Sequence, residues 1–244
     1  MQTAPIRAAL EDIEWVFVQG TVRHTEGKKH MKSLTGRARL TYSMTAPGNW
    51  SLHTSDFSKL PLYTYYNPFD PESILQTHEE LLGIIQSHGP FDGVFGYSGG
   101  AALAAELIIE AARSESAIEP LFRFAVFVNG ASPLRVFHVD DVDTVSGHID
   151  VSHTFQQAKE MFLRPSALRH KPGVSEEDQV DHKKLLGLLS RLEGRMMADG
   201  TAFLSDGIYG LCRWEQNEMQ TALIEIPTLH IRSTAEDHLD PHHG

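Results

Sequence analysis

Only one cysteine, Cys212, occurs in 244 residues. A single thiol excludes an internal disulfide framework and suits a reducing compartment. Between Gly210-Leu211 and Arg213-Trp214 it reads as a packing residue, not a nucleophile. Runs of lysine or arginine are also missing, and the formal net charge is −11. That balance excludes the usual electrostatic footprint of nucleic-acid or anionic-membrane partners. No stretch approaches about eighteen uninterrupted apolar residues, so no segment reads as a membrane span. Met1–Trp15 lacks the basic region and apolar core of a signal peptide, and a cytoplasmic location is the expectation. There is no internal repeat and no low-complexity tract. What is present is ordinary globular composition, 41% hydrophobic and 22% charged. It suits a single α/β domain over residues 1–244 with a sizeable core.

The most informative local feature is Gly96-Tyr97-Ser98-Gly99-Gly100. Before it, Phe91–Phe95 has the look of a buried parallel strand. After it, Ala101–Arg113 is strong helix-former sequence with a single interior charge, Glu106, before Glu110. Strand, sharp turn around a serine, and helix make up a nucleophile elbow. The serine occupies a strained turn, so its neighbours two residues away on either side must be tiny. Gly96 and Gly100 meet that need. The N–H of Gly99, at the helix start, is the candidate oxyanion donor.

The rest of the chain suits a mostly parallel sheet flanked by helices. Residues 4–11 read as the end of a helix, Ile13–Val18 as a strand, and residues 21–68 as polar and irregular with an aromatic cluster at Tyr63, Tyr65 and Tyr66. Asp70-Pro71 opens a helix that Gly89-Pro90 ends. His78 lies on its apolar stripe and reads as a hydrogen-bonded packing histidine. A strand over Phe122–Val128 ends in Asn129-Gly130, at the sheet edge where ligands bind in such folds. Residues 134–222 form a long insertion read as a helical lid or, equally, a peripheral decoration, with an amphipathic helix carrying Leu185, Leu186, Leu188, Leu189, Leu192 and Met196. Ile226–Ile231 is the last strand.

A serine nucleophile needs a histidine base and a carboxylate to orient it, in the chain order serine, acid, histidine. Asp237 and Asp240 follow the last strand, and Asp237 is the better placed. His238, His242 and His243 follow in the same loop, with no separate element to return them to Ser98. As a metal set they are weak, and no metal or other cofactor is expected.

These stretches resemble the fungal family of serine hydrolases (FSH type), an α/β-hydrolase family, and within it the esterases and thiohydrolases encoded beside fungal polyketide synthases. The matching segments are residues 88–107, 122–133, 161–169, 204–214 and 226–241. The resemblance implies Ser98 as nucleophile and Asp237, followed by Pro241, as acid. It implies hydrolysis of an acyl ester or thioester, free or as a carrier-protein-bound polyketide. The family's first strand, ending in His-Gly, and its C-terminal histidine motif find no counterpart. The chain is therefore expected to lack both, which keeps a second reading open: a catalytically impaired, hydrolase-like binding protein or a truncated product. An unpaired apolar sheet edge would then lead to low solubility or a homodimer.

Overall fold

The computed structural model describes residues 9, 12–18, 20, 22–24, 62–113, 119–155, 183, 186–214 and 223–232. Within them the chain runs β1 (Val22–His24), β2 (Leu62–Thr64), α1 (Pro71–His88), β3 (Gly93–Tyr97), α2 (Gly99–Arg113), β4 (Phe124–Val128) and β5 (Leu134–His138). It continues through β6 (Thr144–Ile149), β7 (Glu193–Met197), β8 (Ala202–Ser205), β9 (Tyr209–Arg213) and β10 (Thr228–Ile231). β1 and β2 form an antiparallel pair, β10-β4-β3 a parallel sheet, and β5-β9-β8-β7-β6 an antiparallel sheet.

Local chemistry explains α1. Asp70 Oδ1 accepts the Ser73 N–H at 3.3 Å, and Pro71, which lacks a donor, sits in the first turn where none is needed. At the other end the Gly89 N–H closes on the Ile85 carbonyl at 2.8 Å. Ile74, Thr77 and His78 are the buried face of this helix.

α2 is different. Every residue from Ala101 to Ile109 is buried. A helix apolar on all sides needs a layer on each side, and it has them. Ala101, Ala104, Ala105 and Ile108 pack with Ala125 and Phe127 of the parallel sheet. Leu103 and Leu107 pack with Ile74 of α1 and with Leu204 and Leu211 of the antiparallel sheet. The helix layer is thus held between two sheets, one parallel and one antiparallel.

Two expectations are corrected here. The described part of the 134–222 insertion is mainly strand, not a helical lid. Residues 186–189 do form a helical turn, but Met196 lies in β7, paired with β6 and β8. The leucine spacing is helical only as far as Leu189. Beyond it, Gly194 lies so close to Ile149 that an added Cβ would sit 2.5 Å from its carbonyl oxygen, which pins β7 beside β6. Two hairpins then follow from Asp-Gly turns. In the first, Asp199 Oδ1 accepts the Thr201 N–H and Gly200 has φ +90°. In the second, Asp206 Oδ1 accepts the N–H groups of Ile208 and Tyr209, and Gly207 has φ +98°. The second correction concerns Ile13–Val18. This run joins no strand ladder among the described residues, and it meets β3 through the Trp15 ring, edge-on to Phe95 at 6.3 Å. The expected helix over 4–11 lies almost wholly outside the described residues.

Candidate active site

β3 runs into α2 through a single residue, Ser98, whose φ is +53°. A residue with a Cβ rarely adopts that conformation, and holding it there costs about 1–3 kcal/mol of local strain. Three contacts maintain it. The Ser98 N–H donates to the Val128 carbonyl at 2.9 Å, and the Ser98 carbonyl accepts from Ala101 at 2.9 Å and Ala102 at 3.4 Å. The helix therefore starts from the serine itself. Gly96 shows why the turn needs a residue without a side chain. A Cβ there would lie 2.5 Å from Ala101 Cα and 2.7 Å from the Gly100 carbonyl oxygen. Strand and helix could not approach so closely with any other residue. Ser98 is 6% exposed, which places it below the molecular surface.

The neighbouring strand repeats the device. Asn129, just past β4, has φ +45° and donates its N–H to the Ile231 carbonyl at 2.8 Å. Ser98 and Asn129 are the two non-glycine residues with positive φ among the described residues. Both sit at carboxyl ends of parallel strands, where α/β folds place their ligands. The sequence places Asn129-Gly130 at a strand end, and the positive φ of Asn129 adds strain there.

Gly99 occupies the first position of α2, so its N–H has no partner within the helix. Asp237 lies outside the described residues, as do Asp240, His238, His242 and His243. The departure point of that segment is nevertheless set. β10 pairs with β4, and β4 with β3, so Ile231 ends two strands from Tyr97, roughly 10 Å away.

Two described histidines can be placed against this turn. His230 packs on Phe127 at 5.2 Å, and in the strand register Phe127 lies between it and Gly96. His78 is bound elsewhere. Its Nε2 donates to Glu106 Oε2 at 3.0 Å, while Glu106 Oε1 accepts the Tyr66 hydroxyl at 2.7 Å and the Leu134 N–H at 2.8 Å. Glu106 is fully buried. Its position seven residues into α2 puts it about 10 Å along the helix from the serine turn. This histidine–carboxylate pair is therefore a packing network, as expected for His78. The network joins α1, α2, β5 and the loop before α1. Burial, then the Glu106 charge, pushes the Tyr66 hydroxyl pKa well above its usual value. Tyr65 is likewise engaged, its hydroxyl donating to the Val18 carbonyl at 3.1 Å. These two members of the aromatic cluster hold the fold together. Among the described residues no group of three or more metal-ligating side chains converges.

The family model described as "Serine hydrolase (FSH1)" matches residues 1–238. The chain belongs to this serine hydrolase family. FSH1-family proteins are α/β-hydrolases, and the parallel β10-β4-β3 sheet with its flanking helix agrees with that fold. The family is one of hydrolases, and the chain is also similar to proteins with hydrolase and esterase names. Hydrolase FUB4 of Fusarium oxysporum f. sp. lycopersici is 28% identical over 178 residues, covering 73% of this chain and 61% of that protein. Hydrolase phiM of Talaromyces stipitatus is 43% identical over 84 residues, 31% of this chain and 33% of its own length. Esterase FPY3 of Fusarium mangiferae is 44% identical over 69 residues, 28% of this chain and 30% of its own. The chain thus spans less than two thirds of the relatives it matches. No solved structure matches it. No helix among the described residues is long and apolar enough to cross a membrane.

Proposed function

We propose that this FSH1-family chain is a serine esterase or thioesterase acting in the cytoplasm, with Ser98 as the nucleophile. One observation carries the reading: a serine at φ +53° between a parallel strand and a helix buried from Ala101 to Ile109. That conformation is strained, and strain of this kind persists where it serves a site. Ser98 Oγ attacks the acyl carbonyl and loses its proton to a histidine, which passes it to the departing alcohol or thiol as the ester or thioester bond breaks; water then cleaves the acyl-serine to the free acid. The Gly99 N–H holds part of the negative charge on the tetrahedral oxygen, and Asp237 orients the base. The six residues from Ile231 to Asp237 span up to about 20 Å when extended. That reach exceeds the two-strand gap back to Ser98.

The substrate we assign is a polyketide-type acyl chain, as an ester or as the thioester of a carrier protein. The resemblance of the serine and NGASP segments to polyketide-associated members supports this class. Fluorophosphonate labelling tests the nucleophile. Wild-type protein is expected to label rapidly, Ser98→Ala not at all, and Asp237→Asn more slowly by on the order of 10³ to 10⁴-fold. Absent labelling, or labelling unchanged in Ser98→Ala, overturns the enzymatic reading. A binding protein that keeps the fold without an effective base is the second reading. It is favoured by the commitment of His78 to Glu106 and of His230 to Phe127. It predicts acyl-ligand binding without turnover.

A further inference from the structure

The three strands of the parallel sheet end flush. Tyr97 pairs with Val128 and Val128 with Ile231, so Ser98, Asn129 and Arg232 each stand one residue past the same level. Between the two outer strand ends, one peptide unit is engaged on both sides. The Val128 carbonyl accepts the Ser98 N–H at 2.9 Å, and the Asn129 N–H of the same peptide donates to the Ile231 carbonyl at 2.8 Å. A peptide group is a rigid plane, so its orientation fixes the offset between the strand ends it joins. Asn129 takes φ +45° directly after this plane, and β4 stops at Val128. Asparagine, aspartate and glycine tolerate that left-handed conformation, whereas a β-branched residue there is an outlier. Ending a strand does not itself demand such a residue. β10 passes into Arg232 without one, since Ser98 and Asn129 are the two non-glycine residues with positive φ among the described residues.

We propose that Asn129 is a positioning residue for the hydrolysis, acting through its backbone. It holds the Ser98 turn and the departure point of the acid-bearing segment at a fixed separation. The proposal rests on the reading of Ser98 as nucleophile and Asp237 as acid. A nucleophile, base and acid work only when their separations are held to within about 0.5 Å. Here the nucleophile leaves β3 and the acid-bearing segment leaves β10, and these strands are not neighbours. β4 lies between them, so their separation passes through β4. At the level where both segments leave the sheet, the Val128–Asn129 peptide is the piece of β4 that touches each of them. Strain in a residue that lies outside the proton path is explained when the plane it orients serves two partners at once. No proton passes through Asn129; its contribution is geometric.

Fluorophosphonate labelling rates of the full chain test it. Asn129→Gly keeps the left-handed backbone while deleting the side chain, and is expected to label within about threefold of wild type. Asn129→Val disfavours that backbone and is expected to label about a hundredfold more slowly, the loss that a shift of about 1 Å near a reacting group produces. Retention by glycine and loss by valine is an order that side-chain packing does not give. In the Asp237→Asn background, the valine substitution is expected to add less than about tenfold, because residues that act as one unit are non-additive. Should valine prevent folding, as judged by circular dichroism, Asn129→Ala takes its place with an expected loss of about tenfold. A wild-type rate in the valine or alanine variant overturns the proposal while leaving Ser98 and Asp237 in their roles. So does a glycine variant as slow as valine, or a valine loss that multiplies in full with Asp237→Asn. Undiminished labelling of Ser98→Ala or of Asp237→Asn instead sinks the reading of the site, and this proposal with it.

Discussion

Replacing Glu106 by alanine isolates the most connected polar group among the described residues. Its carboxylate is fully buried and accepts three donors from three different elements: Tyr66 at 2.7 Å, Leu134 N–H at 2.8 Å and His78 at 3.0 Å. Alanine strands all three donors in an interior that water does not reach. Breaking one side of a buried pair costs about 3–5 kcal/mol. For a domain of this size each kcal/mol shifts Tm by about 2–4 °C, so Glu106→Ala should melt roughly 6–20 °C below wild type. Glu106→Gln separates hydrogen bonding from volume. It keeps an acceptor oxygen for Tyr66 and Leu134, and its amide can donate to Nε2 of the other His78 tautomer. It should cost less than about 2 kcal/mol. Glu106→Leu fills the space but restores no acceptor, so it should behave like alanine. Differential scanning calorimetry with urea titration measures all three. If alanine or leucine melts within about 2 °C of wild type, the carboxylate does not hold these elements together and the argument fails.

Two further substitutions read other parts of the fold. Gly96→Ala drives a Cβ into the α2 backbone at 2.5–2.8 Å; overpacking there costs about 1–3 kcal/mol. Because a shift of about 1 Å at a reacting group can cost a hundredfold in rate, Ser98 labelling should slow more than Tm falls, and wild-type values of both would refute the steric account. Glu110 has its carboxyl pKa raised by burial, against the pull of His78, Arg113 and Arg135. A raised folded-state value means that the protonated form is preferred in the fold, so its stability contribution is full below the unfolded value and is lost as pH rises. Glu110→Gln should therefore be more stable than wild type at neutral pH and equal to it below about pH 4. A less stable variant at pH 7, in melts compared at the two pH values, would reverse that sign.

Where sequence reasoning succeeded, the determinants were local. Asp70-Pro71 caps α1 through atoms three residues apart, and Gly96, Ser98 and Gly99 define a turn within four residues. Nothing distant has to be known to read them. The described part of the insertion departs from the expected lid because its leucine spacing is helical only to Leu189, while Asp199-Gly200 and Asp206-Gly207 turn the chain into hairpins. Helical periodicity through Leu189 was real, but the close approach of Gly194 to Ile149, more than forty residues away, decides where it stops. Glu106 marks the limit of local reading. A lone carboxylate among nine buried helix residues reads in sequence only as one interior charge, and its partners lie 28 and 40 residues away on α1, on β5 and in the loop before α1. Its burial requires that those elements arrive together. The sequence pattern can therefore flag such a group as costly, while only the assembled layers show that its cost is met. The same logic applies to the serine. Its strain is tolerable because Val128 and Asn129, brought alongside by parallel pairing, hold the strand ends on which the turn rests.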